Sequence, residues 1–323
     1  MTRITRRSAV ALLAAASAGR TLAQGAYPNR TVRWIIPYAA GGGSDAIART
    51  IQPALQRELG QPVVIENKPG AASAIAAAEV ARSAPDGYTI FSADNGTLVY
   101  NPALFKKLSY DPKEFAPVSL LARAPTILVA GPATQAKDVK ELIAQIKAEN
   151  GKFAYASAGT GSPHAMAMEM FKSQTGVNMI HVPYRGGALS LADVAAGQVP
   201  ITMSDYSGGG GMIRGGKVRP LAVADTRRIP QLPDVPTFAE LGYPGVLAEA
   251  FAGIVVPVRT PADVIARLQA AVQAAVRDPQ VNAKLVEIGQ QPVGSTPQQF
   301  TAVLQQEVPR WHKLIKDLNI VLD

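Results

Sequence analysis

The chain has no cysteine in its 323 residues. Disulfides, thiolate nucleophiles and Cys-ligated metals are therefore excluded. Histidine is almost as scarce, with only His164, His181 and His312, widely spaced. That pattern argues against a His-rich metal site, and neither a metal nor a cofactor is expected. Charged residues make up 17 % of the chain and aromatics 6 %. The charges are dispersed, with no Lys/Arg block and few interleaved aromatics. This is unlike a nucleic-acid surface, and no nucleic-acid partner is expected. What is abundant is apolar: 47 % of residues are hydrophobic, with 28 Gly and 25 Pro. Such a chain buries large cores, turns tightly and has room for two domains.

The first 23 residues follow a separate logic. Arg3, Arg6 and Arg7 precede an apolar run from Ala9 to Ala18, and Thr21-Leu22-Ala23 offers small residues before a cut. This is the layout of a secretory signal peptide, with cleavage expected near Ala23. The apolar run is shorter than the roughly 20 residues of a membrane-spanning helix. Thr5-Arg6-Arg7-Ser8 also hints at a twin-arginine leader, although clustered arginines occur in ordinary leaders too. The 32 basic residues fall to 28 once the four arginines of this segment are removed, against 24 acidic ones, leaving a formal +4. An exported protein with a periplasmic destination is expected.

The rest repeats strand, Gly-rich loop, helix. Thr31–Pro37 reads as a strand, Ala39–Ser44 as a loop, and Asp45–Leu59 as a helix stopped by Gly60. Short strands are also expected at Val63–Glu66, Tyr88–Ser92, Thr126–Ala130, Phe153–Ser157, Asn178–Val182, Pro200–Ser204 and Leu221–Ala224. Alternation of this kind predicts an α/β fold built on parallel, doubly wound sheet. Residues 72–83 read as an Ala-rich helix and Gly208–Gly211 as a mobile turn. Pro309 is expected to kink or split the last helix, which Thr296–Gln299 opens with a capping box. Extended chain near 118–130 and 251–256 offers two crossings between lobes, about which rigid bodies could rotate.

Three strand–loop–helix junctions carry the candidate chemistry. The first is Pro37 through Asp45, where glycines let a ligand approach backbone at a helix start. Exposed N–H groups there attract anions, helped by a helix dipole worth about +0.5 charge. The alternative is a tight turn with an ordinary N-cap. The second is Ser157-Ala-Gly-Thr-Gly-Ser-Pro-His164, a loop of the same type from the other half of the chain. One anion bridging two facing helix starts would meet both. His164 beside Ser162 invites a catalytic reading, but no G-x-S-x-G elbow exists, and a packed first-turn role is expected. The third is His181 through Gly187, where Arg185 could pair with a ligand carboxylate, with Asp193 or with a carbonyl. Asp205 closes the strand before it and either rims the cleft or caps a turn.

A decoy sits in the first loop. Gly41-Gly42-Gly43-Ser44-Asp45-Ala46 satisfies G-x-G-x-x-A after a strand, and Glu66 ends the next strand. That pattern suggests an exported, dinucleotide-dependent oxidoreductase. The loop is longer than that motif's tight turn and contains Pro37, so a binding protein without enzymatic activity is the preferred expectation.

Taken in order, Pro37–Asp45, Glu66-Asn67-Lys68-Pro69-Gly70, Pro85-Asp86-Gly87-Tyr88-Thr89, Ser157–His164, Val182–Gly187 and Leu232–Thr237 resemble the Bug-type (TctC-like) receptors of tripartite tricarboxylate transporters. The match runs over nearly the whole chain after the leader. It implies a two-lobed, type II periplasmic-binding-protein fold with the ligand cleft between lobes. Lobe one would comprise 27–124 plus 226–323 and lobe two 125–225, with hinge crossings near 118–130 and 225–256. The resemblance further implies that the first Gly-rich loop (Ala40, Gly41, Gly42, Ser44, Asp45) and the second (Ser157, Gly159, Thr160, Gly161) hold one carboxylate. Asn95, Thr97 and Asp205 would border the variable end of the pocket. It implies a small-carboxylate ligand and delivery to a two-component membrane permease; the receptor itself is expected to be a monomer. Phe251 stands where this family often has Trp, and substrate identity does not carry over.

Overall fold

The structure, a computed structural model, describes residues 27–322. The expected leader lies outside the described residues. The first strand, β1 (Val32–Ile36), is a nearly unbroken apolar run, as a strand covered on both faces requires. It pairs in parallel with β2 (Val63–Asn67) and β3 (Thr89–Asp94). Helix α1 (Gly43–Leu59) crosses over between β1 and β2. Its Ile47, Ile51 and Leu55, spaced one turn apart, are buried with Trp34 and Ile36 of β1 in one cluster. Gly60 ends it in the left-handed region at φ 70°, and its N–H bonds Gln56 O at 2.9 Å.

The Ala-rich helix expected over 72–83 is shorter: α2 spans Ala74–Ala81. Ala71, Ala72 and Ser73 before it form a tight left-handed turn, at φ 45°, 50° and 74°. After β3 the chain winds through a buried π-helical turn (Gly96–Tyr100) into α3 (Asn101–Leu104), which buries Asn101 and Leu104.

A long strand, β4 (Phe115–Pro125), then leaves the first sheet and continues almost directly into β5 (Ile127–Ala130) of the second. The second half alternates as expected: α4 (Val139–Ala148), β6 (Ala154–Ser157), α5 (Pro163–Thr175), β7 (Ile180–Pro183), α6 (Gly187–Ala195), β8 (Ile201–Ser204), α7 (Tyr206–Arg214) and β9 (Arg219–Val223). The chain returns through β10 (Glu249–Pro257) to the first sheet and ends with α8 (Ala262–Arg277), α9 (Pro279–Glu287), β11 (Gln291–Pro292) and α10 (Pro297–Asp317).

The two sheets run β11-β4-β10-β3-β1-β2 and β7-β6-β8-β5-β9. Neither is purely parallel, contrary to the sequence expectation. β10 is antiparallel to β3 and β4, and β5 is antiparallel to β8 and β9. β5, which enters the second sheet, and β10, which returns to the first, run against the βαβ strands because they are reached by extended chain, not by crossover helices.

At the junction between sheets the backbone is hydrogen-bonded across the crossing chains. Thr126 N donates to Ala248 O at 3.0 Å, and Thr126 O accepts from Ala224 N at 2.8 Å. Ala248 N in turn bonds Ala224 O at 3.1 Å. Three backbone segments are thus hydrogen-bonded side by side where the chain passes from β4 to β5 and from β9 back to β10.

Two further expectations are corrected. Gly208–Gly211 is not a turn but the middle of α7, which Asp205 caps. Its glycines are packed tightly: a Cβ on Gly209 would lie 2.9 Å from Ser204 Oγ, and one on Gly210 would lie 2.8 Å from the Tyr206 ring. Pro309 does not split α10, whose Phe300, Trp311 and Ile315 are buried on both sides of it. The capping box is present, with Gln299 N bonding Thr296 Oγ1 at 3.2 Å and Thr296 N bonding Gln299 Oε1 at 2.9 Å.

Candidate functional site

Helix α1 starts with nothing to cap it. Gly42, its N-cap, has extended backbone (φ −85°, ψ 177°) and no side chain to bond the first N–H groups. Across the gap, α6 starts in the same way. Gly186 at φ 149° precedes it, again with no side-chain cap. A Cβ on Gly42 would stand 3.7 Å from Ala188 N and 3.8 Å from Gly187 N, so the first amides of α6 face the start of α1. Ala39 N also bonds Arg185 O at 3.1 Å, tying the two junctions together.

The sequence led to α5, not α6, as the facing helix start. The structure explains the difference. Ser162 caps α5 itself, accepting from Ala165 N at 3.2 Å, so that start is already satisfied. Asp205 likewise caps α7, accepting from Gly208 N at 2.8 Å. Among the described residues, only α1 and α6, opened by Gly-Gly pairs, bring uncapped amides to this crevice.

A chamber of about 60 Å³ lies at this meeting point. Gly42, Gly43, Ser44, Tyr38, Asp94 and Phe251 wall it from the first-sheet side. His164, Gly187, Asp205 and Ser207 wall it from the other, and Gln290 reaches in to bond Ser207 Oγ at 3.1 Å. No Lys or Arg among the described residues lines it. A larger cleft of about 800 Å³ adjoins it, with Tyr38 and Ala158 forming part of both walls. That cleft contains Gly159, Thr160 and the left-handed turn Ala71–Ser73, and its cations are Lys107 and Arg185.

Electrostatics differ between the two acids of the chamber. Burial pushes the Asp94 carboxyl up, against hydrogen bonds from Tyr38 Oη at 2.6 Å and from Thr97. Burial also acts to raise Asp205, but bonds from His164, Ser207 and Gly208 N outweigh it and bring that carboxyl down to about 2. His164 Nε2 is 3.1 Å from Asp205 Oδ2.

Of the residues expected to bind, Gly42, Ser44 and Asp205 line the chamber, and Gly159 and Thr160 line the larger cleft. Ala40 and Gly41 are exposed and belong to neither wall. Asp45 is buried and spends its carboxylate on Gly41 N, Arg49 and Asn67, a brace for the loop. Asn95 and Thr97 stand behind the wall. Asn95 Oδ1 accepts from Phe251 N at 2.7 Å, and Thr97 Oγ1 bonds Asp94 and Ser73. Ser157 is paired with His181 Nε2 at 2.6 Å and supports Gly159 N. Gly161 is buried where a Cβ would come 2.6 Å from Asn101 Oδ1. These residues shape the site from a second layer.

Sequence reasoning did not single out Tyr38, Asp94, Ser207 or Gln290. Asp94 was within reach of the strand-end rule, being the last residue of β3. Gln290 carries no local signal, since its partner Ser207 is 83 positions away. Arg185 does not pair with Asp193, which takes the Tyr184 hydroxyl at 2.6 Å instead. The dinucleotide pattern fails at its acid. Glu66 is held by Arg33 through two bonds of 2.7 and 2.8 Å, with Lys68 at 3.5 Å, leaving no free carboxylate for a ribose. Among the described residues there is no cluster of metal-ligating side chains and no helix long and apolar enough to cross a membrane.

Residues 47–320 match the model of the tripartite tricarboxylate transporter family receptor, TctC. Protein BugT of Bordetella pertussis is 32 % identical over 298 residues, covering 92 % of this chain and 91 % of its own. The solved periplasmic binding protein BugD is 32 % identical, superposes with a TM-score of 0.88, and is matched over 92 % of this chain and 100 % of its own. MatC from Rhodopseudomonas palustris, solved with bound malate, is 34 % identical with a TM-score of 0.86, over 90 % and 100 % of the two chains. The two-lobed binding-protein fold and the absence of an enzymatic role, both expected from the sequence, agree with these likenesses. The chain belongs to the TctC family of tripartite tricarboxylate transporter receptors, which are periplasmic solute-binding proteins and not enzymes.

Proposed function

We infer that this protein is an extracytoplasmic receptor that closes on a small organic carboxylate and delivers it to a two-component permease of the tripartite tricarboxylate transporter type. The observation that carries this reading is the meeting of two uncapped helix starts, α1 and α6, from opposite halves of the chain. Each start offers unpaired N–H groups and the positive end of a helix dipole, contributing ~0.3–1 kcal/mol toward an anion when exposed and up to ~2 when partly buried. A micromolar ligand needs about 8 kcal/mol, so hydrogen bonds and apolar contacts such as Phe251 supply the rest. Arg185 and Lys107 in the adjoining cleft favour anionic solutes.

In this reading the lobes are 27–124 plus 226–323 and 125–225, turning about the hydrogen-bonded crossing at Thr126, Ala224 and Ala248. The receptor works as a monomer in the periplasm after loss of its leader. Bound malate in MatC supports a carboxylate as cargo. The test is a thermal-shift screen of mono-, di- and tricarboxylates on the mature chain, followed by calorimetry. At least one acid should raise the melting temperature by mass action and bind without turnover. A screen in which no carboxylate shifts the transition sinks the reading. Copurification with a membrane permease tests the delivery step.

A further inference from the structure

His164 occupies the first turn of α5 and is buried, with 7 % of its surface exposed. Its two ring nitrogens have different fates. Nε2 faces Asp205 Oδ2 at 3.1 Å. Asp205 is held as a carboxylate, since Ser207 Oγ and Gly208 N donate to its other oxygen. A carboxylate only accepts, so Nε2 carries the ring proton. In the neutral ring Nδ1 is then a bare lone pair. Nδ1 is buried and has no partner among the described residues. The ring forms part of the chamber wall beside Gly187, whose added Cβ would lie 3.2 Å from Cε1 and 3.6 Å from Nδ1.

An orphaned buried acceptor calls for a donor, and no group among the described residues gives it one. Its acids are Asp94 and Asp205, its tyrosine hydroxyl is committed to Asp94, and no Lys or Arg among the described residues lines it. The donors left over are the Ser44 hydroxyl and the amides at the starts of α1 and α6, which suit a carboxylate. A solute carboxylate seated on those donors brings its adjacent carbon toward a wall that holds the unpartnered His164 acceptor, where the Ser207 and Gln290 donors are already committed to Asp205 and Ser207.

We propose that His164 Nδ1 takes a hydrogen bond from a hydroxyl or ammonium group next to the solute's carboxylate, so that this receptor selects 2-hydroxy- or 2-amino-substituted carboxylates over the unsubstituted acids. The inference rests on the carboxylate-receptor reading above. It makes His164 a specificity-determining contact in place of a packed first-turn residue. An ammonium group gains additionally from the Asp205 carboxylate lining the same space.

The test is titration calorimetry on the mature protein with matched probes: succinate against malate and aspartate, and adipate against 2-aminoadipate. Within the set that binds, the substituted acid should bind about tenfold tighter or more, because a site built to pair a substituent rejects the analogue lacking it. His164→Gln keeps a donor for Asp205 near the Nε2 position but removes the acceptor at Nδ1, and should shrink the preference to about twofold or less. His164→Asn keeps an acceptor near Nδ1 and loses the Asp205 bond, so it should retain the preference. Unchanged circular dichroism and melting temperature in either variant establish that the fold is intact. Equal affinities in the wild type, or a preference that survives in His164→Gln, would overturn the inference while leaving the receptor reading standing. Failure of every probe and every other carboxylate to bind would overturn both.

Discussion

Gly43 and Asp205 meet face to face from opposite sheets. A Cβ built on Gly43 would lie 2.5 and 2.6 Å from the two carboxylate oxygens of Asp205 and 2.7 Å from Ser207 Oγ. The start of α1 can therefore approach the cap of α7 this closely only with glycine at position 43. Gly43→Ala should fold normally, since alanine suits a first helical turn. It should oppose closure, because overpacking costs about 1–3 kcal/mol. Calorimetry should show about tenfold weaker solute binding, and small-angle scattering a more open form with solute present. Undiminished affinity would mean that the closed arrangement is not the binding form.

Asp205 also sets a pH dependence. Its carboxyl lies at about 2 in the folded chain against an ordinary 3.8, so its ionised form stabilises the fold. That contribution is complete above about pH 4 and is lost as pH falls through about 2. It amounts to roughly 2 kcal/mol, at ~1.4 kcal/mol per pH unit. Asp205→Asn should lower stability at pH 6 and flatten its decline between pH 4 and 2, measured by denaturant midpoints. Parallel declines in the two proteins would contradict the assignment.

Arg185 lines the larger cleft, is exposed, and pairs with no carboxylate among the described residues. Arg185→Gln should leave the melting temperature unchanged. It should weaken binding of a dianionic probe by about two- to fivefold at low salt, with the gap closing as salt screens the charge. A salt-independent loss would assign Arg185 a direct contact instead.

Glu66 belongs to a surface network with Arg33, Lys68 and Glu79. Half-exposed pairs of this kind are worth about 0–1 kcal/mol, so Glu66→Gln should barely move stability. Solute affinity should stay within about twofold, since the network stands apart from both cavities. Calorimetry with NAD should give no binding heat in either protein.

Much of this arrangement was readable from residue order. The strand–Gly–helix junctions at Pro37–Asp45, Ser157–His164 and Val182–Gly187 all reach the cleft, because glycine at a helix start is a local signal. Which helix starts stay uncapped is also encoded locally, in Ser162 against Gly186. Other features were not local. The antiparallel course of β5 and β10 depends on where extended chain returns, and periodicity is silent on direction. Helix α7 has four successive glycines, and only close packing against Ser204 and Tyr206 accounts for so poor a helix-forming sequence. The burial of Asn95 and Thr97 follows from the π-helical turn, which polar residues after a strand do not announce.

The left-handed turn at Ala71–Ser73 holds three non-glycine residues at positive φ. Non-glycine residues in that conformation cost ~1–3 kcal/mol each and persist only where neighbours impose them. Asn101 Nδ2 grips Ala72 O at 2.7 Å, and Thr97 Oγ1 holds Ser73 Oγ at 2.9 Å. The floor of the larger cleft is thus set in final shape when the polypeptide folds. A captured solute finds no slack loop to freeze, so the entropy lost on capture falls mainly on the solute and on the swing of one half toward the other.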